Sequence, residues 1–249
     1  MFSKLFFKMK KKITGILIIL LFYPLSGQQL SALSYSGGQL STGGSLFRVE
    51  SPNSKRGLTY DEIEGTPYLD KIFSEANFII SDKDKVETAP ARYNTYSDQI
   101  EFKKGDEILA LFPDNPFTRV EFVLTNQVLV KLNVDNELKG YFYEIISGKN
   151  TLYKKVKAKF NDFVPAANSY AMDRPANFNI LNPIYYIKTE NGFIKNPKNK
   201  KEIIEQIPDK KEALNTFFKE NKIRFDKEED LKKLVTFLNC PVLKMQYRL

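Results

Sequence analysis

The sequence predicts a mainly β protein, an antiparallel meander with an open or barrel-like sheet, carrying a C-terminal α-helical hairpin. Three observations lead there. Between residues 76 and 196, short runs of β-branched and aromatic residues alternate with loops of about two to five residues, the spacing of consecutive hairpins. No long helical period separates these runs, which argues against parallel βαβ units. After residue 197 the apolar residues recur at helical spacing instead.

The chain has 249 residues with 42% hydrophobic and 27% charged side chains, a globular composition. Its N-terminus reads as a signal peptide over residues 1–27. "MFSKLFFKMKKK" is a basic leader, "ITGILIILLFYPL" is an apolar run shorter than the ~20 residues of a membrane-spanning helix, and "SGQQ" is a small-residue exit. No second apolar run follows, so no membrane span is expected after cleavage. The formal charge of +8 includes Lys4, Lys8, Lys10, Lys11 and Lys12 of the leader. Without those five the balance is +3, too weak and too mixed to imply a nucleic-acid partner.

Residues 28–57 are rich in Ser, Gly and Gln and sustain no apolar period, so they read as a flexible leader. The β domain is expected over 58–196. Its strands are "ANFII" (76–80), "EILALF" (107–112), "RVEFVL" (119–124), "QVLVKL" (127–132), "KGYFYEII" (139–146), "TLYKKVKAKF" (151–160), "PIYYIKT" (183–189) and "FIK". The turn signals are "SDKDK", "KKGD", "TN", "SGKN" and "ENG". In 151–160, Leu152, Val156, Ala158 and Phe160 share one face, and Lys155, Lys157 and Lys159 share a solvated one.

The stretch "ARYNTYSDQIEF" (91–102) changes phase internally. Ala91 and Tyr93 have one parity, Ile100 and Phe102 the other, so a turn or bulge belongs at "NTYS". Arg92 and Asp98 are then expected to flank the bend and pair.

Residues 197–240 form a helical tail packed on the β domain. "PDKKEALNTFFKENK" offers Asp209 as N-cap with Glu212 three residues on, and a stripe of Ala213, Leu214, Phe217 and Phe218. "FDKEEDLKKLVTFLN" repeats the device with Asp226, Glu229, and Leu231, Leu234, Val235 and Leu238. A shorter helical turn, "NKKEIIEQI", precedes both. Residues 241–249 are a C-terminal extension.

Chemistry is scarce. With no histidine, the usual general base and the usual metal ligand are missing, and neither phosphate-binding glycine motif occurs. The one cysteine, Cys240, allows no intrachain disulfide and reads as a packed thiol. No catalytic residue, cofactor or metal is expected. Asp98, Glu101, Asp106, Glu107, Glu121 and Glu144 leave open a hydrolase working through paired carboxylates on glycan or peptidoglycan. The binding candidates are Arg92 and Tyr96 at the bend, and Tyr141 and Tyr143, which share a face of "YFY".

"GTPYLDKIF", "ARYNTYSDQIEF" and the closing "KEALNTFFKENKIRFDKEEDLKKLVTFLN" together resemble a group of uncharacterised secreted envelope proteins of Bacteroidota, of Flavobacteria type, with an R-Y-N-x-Y-x-D-x-I-E-F stretch ahead of a β-rich body and a helical tail. The resemblance spans residues 60–240, and "FLNCPVLKMQYRL" departs from it. It implies no activity and no catalytic residue. It implies a protein of the periplasm or the periplasmic face of the outer membrane. The expected function is therefore non-catalytic binding or assembly with an envelope partner. The alternatives are the carboxylate hydrolase and an apolar-ligand carrier.

Overall fold

The computed structural model describes residues 37–40, 47–80 and 86–240. The expected signal peptide, the expected "SDKDK" turn and the C-terminal extension lie outside the described residues. The fold is mainly β with a C-terminal helical region, as the sequence predicts. One antiparallel sheet of eleven strands dominates. It is built from β1 (Gly37–Leu40), β4 (Ser74–Ile79), β5 (Val86–Asn94), β6 (Gln99–Lys104), β7 (Glu107–Leu111), β8 (Arg119–Phe122), β9 (Gln127–Asn133), β10 (Lys139–Ile146), β11 (Thr151–Lys155), β14 (Ile184–Thr189) and β15 (Gly192–Lys195). The order across the sheet is β1-β7-β6-β5-β4-β8-β9-β10-β11-β14-β15, and every pairing is antiparallel. Its two edges, β1 and β15, do not pair, so the sheet is open.

The sheet is nonetheless strongly curled. Tyr93 on β5 and Tyr143 on β10 have ring centroids 5.8 Å apart, with β4, β8 and β9 lying between them. In a flat sheet four spacings of ~4.8 Å would hold those strands ~19 Å apart. The inner face of the curl is filled by Phe78, Phe102, Phe117, Val120 and Leu129, with Tyr93, Tyr141 and Tyr143 at its seam. Apolar burial across this face drives the rolling.

Further along, the covering changes. Leu152, Tyr185, Ile187 and Ile194 pack against α1 (Lys200–Gln206), α2 (Lys211–Glu220) and α3 (Glu228–Asn239), which contribute Ile203, Leu214, Leu231, Leu234, Val235 and Leu238. The stripes expected from helical spacing are therefore the buried ones. The caps differ from expectation. Asp209 and Asp226 cap nothing, because α2 starts from a 3₁₀ turn at Pro208–Lys210 and α3 starts after Lys227. The side-chain cap that forms is on α1, where Asn199 accepts the Glu202 amide and Glu202 accepts the Lys198 amide. The opposite face of β9, β10, β11, β14 and β15 buries Phe142, Tyr153 and Tyr186 beneath Leu138 of the β9–β10 loop.

A satellite core completes the fold. The hairpin of β2 (Arg48–Ser51) and β3 (Arg56–Thr59) meets the hairpin of β12 (Ala158–Asn161) and β13 (Asn177–Ile180) through Val49, Leu58, Ile63, Ala176 and Phe178. β1, β2 and the start of β3 fall in the stretch that reads from sequence as a flexible leader. Strands of only four residues carry too little period to be seen.

Two strand expectations are corrected. The β8–β9 connection is not the two residues "TN" but the four-residue turn 123–126, closed by Phe122 opposite Gln127, with Asn126 at φ +53°. The run 151–160 is not one strand. β11 ends at Lys155, and β12 belongs to a different sheet. Lys155 therefore leaves the solvated lysine row and is only 3% exposed.

Candidate functional site

The bend at residues 94–99 organises the molecule's polar interior. Asn94 pairs with Gln99 across a four-residue turn, and its Oδ1 accepts the amides of Tyr96 and Ser97 at 3.0 and 3.1 Å. Asp98 sits at φ +56°, in the left-handed region that asparagine and aspartate tolerate. The turn expected at "NTYS" is thus present, and it restores Tyr93 and Ile100 to one face. The pairing expected there is not. Arg92 lies opposite Glu101, while Asp98 faces the other way.

Glu101 is fully buried and accepts four hydrogen bonds. Arg92 Nε donates at 2.7 Å, Asn94 Nδ2 at 2.8 Å, and the Tyr68 hydroxyl lies 3.0 Å from both carboxylate oxygens. The Arg92 guanidinium lies over the Tyr68 ring at 3.9 Å and the Phe73 ring at 4.3 Å, and also donates to the Lys71 carbonyl. Burial, reinforced by Glu101, pushes the Tyr68 phenol well above its ordinary value. Every strong acceptor of Glu101 is occupied, so the group is a clamp fixing residues 60–73 to β5 and β6.

Asp98 anchors the seam. It accepts the Tyr93 hydroxyl at 2.6 Å, the Tyr141 amide at 3.2 Å and Lys155 Nζ at 2.7 Å. Lys155 also donates to the Tyr141 carbonyl at 2.7 Å, and burial lowers its pKa. A strand contact is thereby replaced by a side-chain staple between the β5–β6 turn, β10 and β11.

Of the sequence candidates, Tyr141 and Tyr143 are buried rather than displayed, because the curl turns their face inward. Tyr141 instead accepts a hydrogen bond from Asn115 Nδ2. Arg92 is withdrawn into its aromatic sandwich. Tyr96 is exposed, though its ring packs edge-on against Phe178 at 5.2 Å. Cys240, expected as a packed thiol, is exposed at the end of α3. Four of the acids read as possible pairs, Asp98, Glu101, Glu121 and Glu144, are tied to cations. Arg119 holds Glu121 at 2.6 Å and Glu144 at 2.8 Å, and Lys155 holds Asp98. Among the described residues no group of three His, Cys, Asp or Glu side chains could hold a metal ion. Among them, too, no helix is long and apolar enough to cross a membrane.

The strongest display of interface residues lies elsewhere, on the loop between β12 and β13. Val164 and Arg174 exchange both backbone hydrogen bonds at its base, at 2.9 and 2.8 Å. Asp173 accepts the Ala166 amide, and Asn168 accepts those of Tyr170 and Ala171. So tied, the loop holds Tyr170 100% and Met172 90% exposed. The sequence signal was available in "VPAANSYAMDRP", a turn-forming segment bounded by prolines that carries two adaptable apolar side chains.

No protein-family model, curated protein or solved structure matches the chain.

Proposed function

We propose that this chain is a non-catalytic secreted envelope protein that binds a protein partner in the periplasm or at the periplasmic face of the outer membrane. The observation that carries the reading is the β12–β13 loop. A segment fixed by its own hydrogen bonds holds a tyrosine and a methionine in water, and ordering it in advance lowers the entropy lost on binding. Tyrosine and methionine are enriched in the cores of protein interfaces. Export follows from the sequence of residues 1–27.

The other two readings find less support. A carrier needs an apolar cavity, whereas the inner face of the curl is packed with aromatic rings. The space beside Tyr93 and Tyr143 is about 20 Å³, room for about one water. A carboxylate hydrolase needs two acids facing across a cleft. Glu121 and Glu144 do converge, but on Arg119.

The test is affinity purification of the tagged protein from fractionated envelopes, run beside a Tyr170→Ala/Met172→Ala variant. Loss of one stoichiometric partner from the variant alone supports the reading. An identical set of partners in both samples contradicts it.

A further inference from the structure

A second surface carries a different ligand chemistry and shares no residue with the Tyr170 loop. A groove of about 680 Å³ runs between the β5–β6 turn, the segment after β7, the end of β9 and the start of β10. That is the size of site that takes a small organic ligand rather than a folded protein. Phe112 lies along it with its side chain in water, at 46% exposure.

Part of the polar lining is already engaged, since Asp98 accepts from Lys155 and Lys131 donates to the Asn115 carbonyl. Among the described residues, the side chains of Gln99, Asn133, Asn136 and Lys139 have no hydrogen-bond or ion-pair partner.

We propose that this groove binds an uncharged oligosaccharide. Two acids (Asp98 and Asp114) and two lysines (Lys131 and Lys139) line it, so an anion meets the carboxylates and a cation meets the ammonium groups. A neutral ligand meets neither penalty. Amide side chains both donate and accept, which matches hydroxyl groups that do the same. The exposed Phe112 ring offers a face to the C–H side of a sugar. An extended peptide fits less well. The groove crosses the ends of paired strands and offers no free strand edge for main-chain hydrogen bonds.

The experiment is an amide chemical-shift titration of the isotope-labelled mature protein. The probes are cellotetraose, maltotetraose, laminaritetraose, xylotetraose and chitotetraose, with oligogalacturonate and a lysine-rich peptide as charged comparisons. At least one neutral sugar shifts the amides of Gln99, Phe112, Asn133, Asn136 and Lys139. Phe112→Ala and the exposed-loop variant Asn136→Ala each weaken its binding about tenfold or more, at unchanged thermal stability. The proposal is overturned if no neutral sugar shifts these amides at millimolar concentration, if only a charged probe binds there, or if both variants bind as tightly as the parent. Neither set of outcomes touches partner capture by the Tyr170 loop, so the two readings fail separately.

Discussion

Asp98 and Gly140 share one corner of the molecule: the Asp98 carboxylate occupies the space that a Cβ on Gly140 would need. Gly140 stands at φ +96°, and the next residue, Tyr141, gives its amide to Asp98. The start of β10 is therefore built around this aspartate. Gly140→Ala forces an L side chain into a left-handed backbone and pushes Asp98 off Tyr93, Tyr141 and Lys155. The expected cost is on the order of 3 kcal/mol, read as a lower midpoint in urea unfolding. Gly105→Ala is a fair control, with φ +61° but nothing within reach of its Cβ, and should cost about 1 kcal/mol.

Arg92 pairs with Glu101, whose carboxylate is fully buried. Removing one partner strands the other. Glu101→Ala is expected to cost about 3–5 kcal/mol. The double replacement Arg92→Met/Glu101→Leu should recover only part of that loss, because the Tyr68 hydroxyl and the Asn94 amide still lose the acceptor they share on Glu101. A double-mutant cycle in guanidinium checks this. Additive losses would show that the pair does not act as a unit.

Asn239 ends α3 by bonding the β10–β11 turn. Its Oδ1 accepts the Asn150 amide at 2.7 Å, and its Nδ2 donates to the Asn150 carbonyl at 2.8 Å. Asn239→Ala should cost about 2 kcal/mol and act locally. Amide exchange should speed up in α3 and at Asn150 while the amides of β4–β8 keep their protection.

Alkaline pH tests the tyrosine-lined seam. Burial raises Tyr60 and Tyr141 to about 12, pushes Tyr68 and Tyr143 higher still, and lifts Tyr93 well above its ordinary value. A folded pKa above the unfolded value of 10.0 means the stabilisation is complete below pH 10 and is lost as pH rises through the folded pKa. Lys155 works the other way, since burial lowers its pKa and deprotonation relieves a cost. Lys131 is lowered in the same way, but the raised tyrosines outnumber the two lysines, so stability should fall above pH 10. Tyrosinate absorbance should then show a buried fraction that ionises only with unfolding.

Much of this architecture was legible. Long strands with one apolar face, such as "KGYFYEII" and "PIYYIKT", declare themselves by alternation, and the helical stripe of Leu231, Leu234, Val235 and Leu238 by its spacing. The phase slip at "NTYS" even located a turn. What escaped depends on three dimensions. Alternation shows that Tyr141 and Tyr143 share a face, but only the curl of the sheet decides whether that face is inside. Lys155 looked solvated because its strand was read as continuing to Phe160. Arg92 is expected from the sequence to pair with Asp98, and the length of the turn places it opposite Glu101 instead. Tyr170 was overlooked because its loop has no period at all.

Capture of an envelope partner by the β12–β13 loop, as proposed, is measured by the amount of partner recovered with tagged wild-type protein and with the Tyr170→Ala/Met172→Ala variant, both shown to unfold at the same temperature. One partner at near-equimolar yield is expected with the wild type, reduced at least about tenfold in the variant. Equal recovery from both, or a wild-type protein that emerges alone, would contradict it.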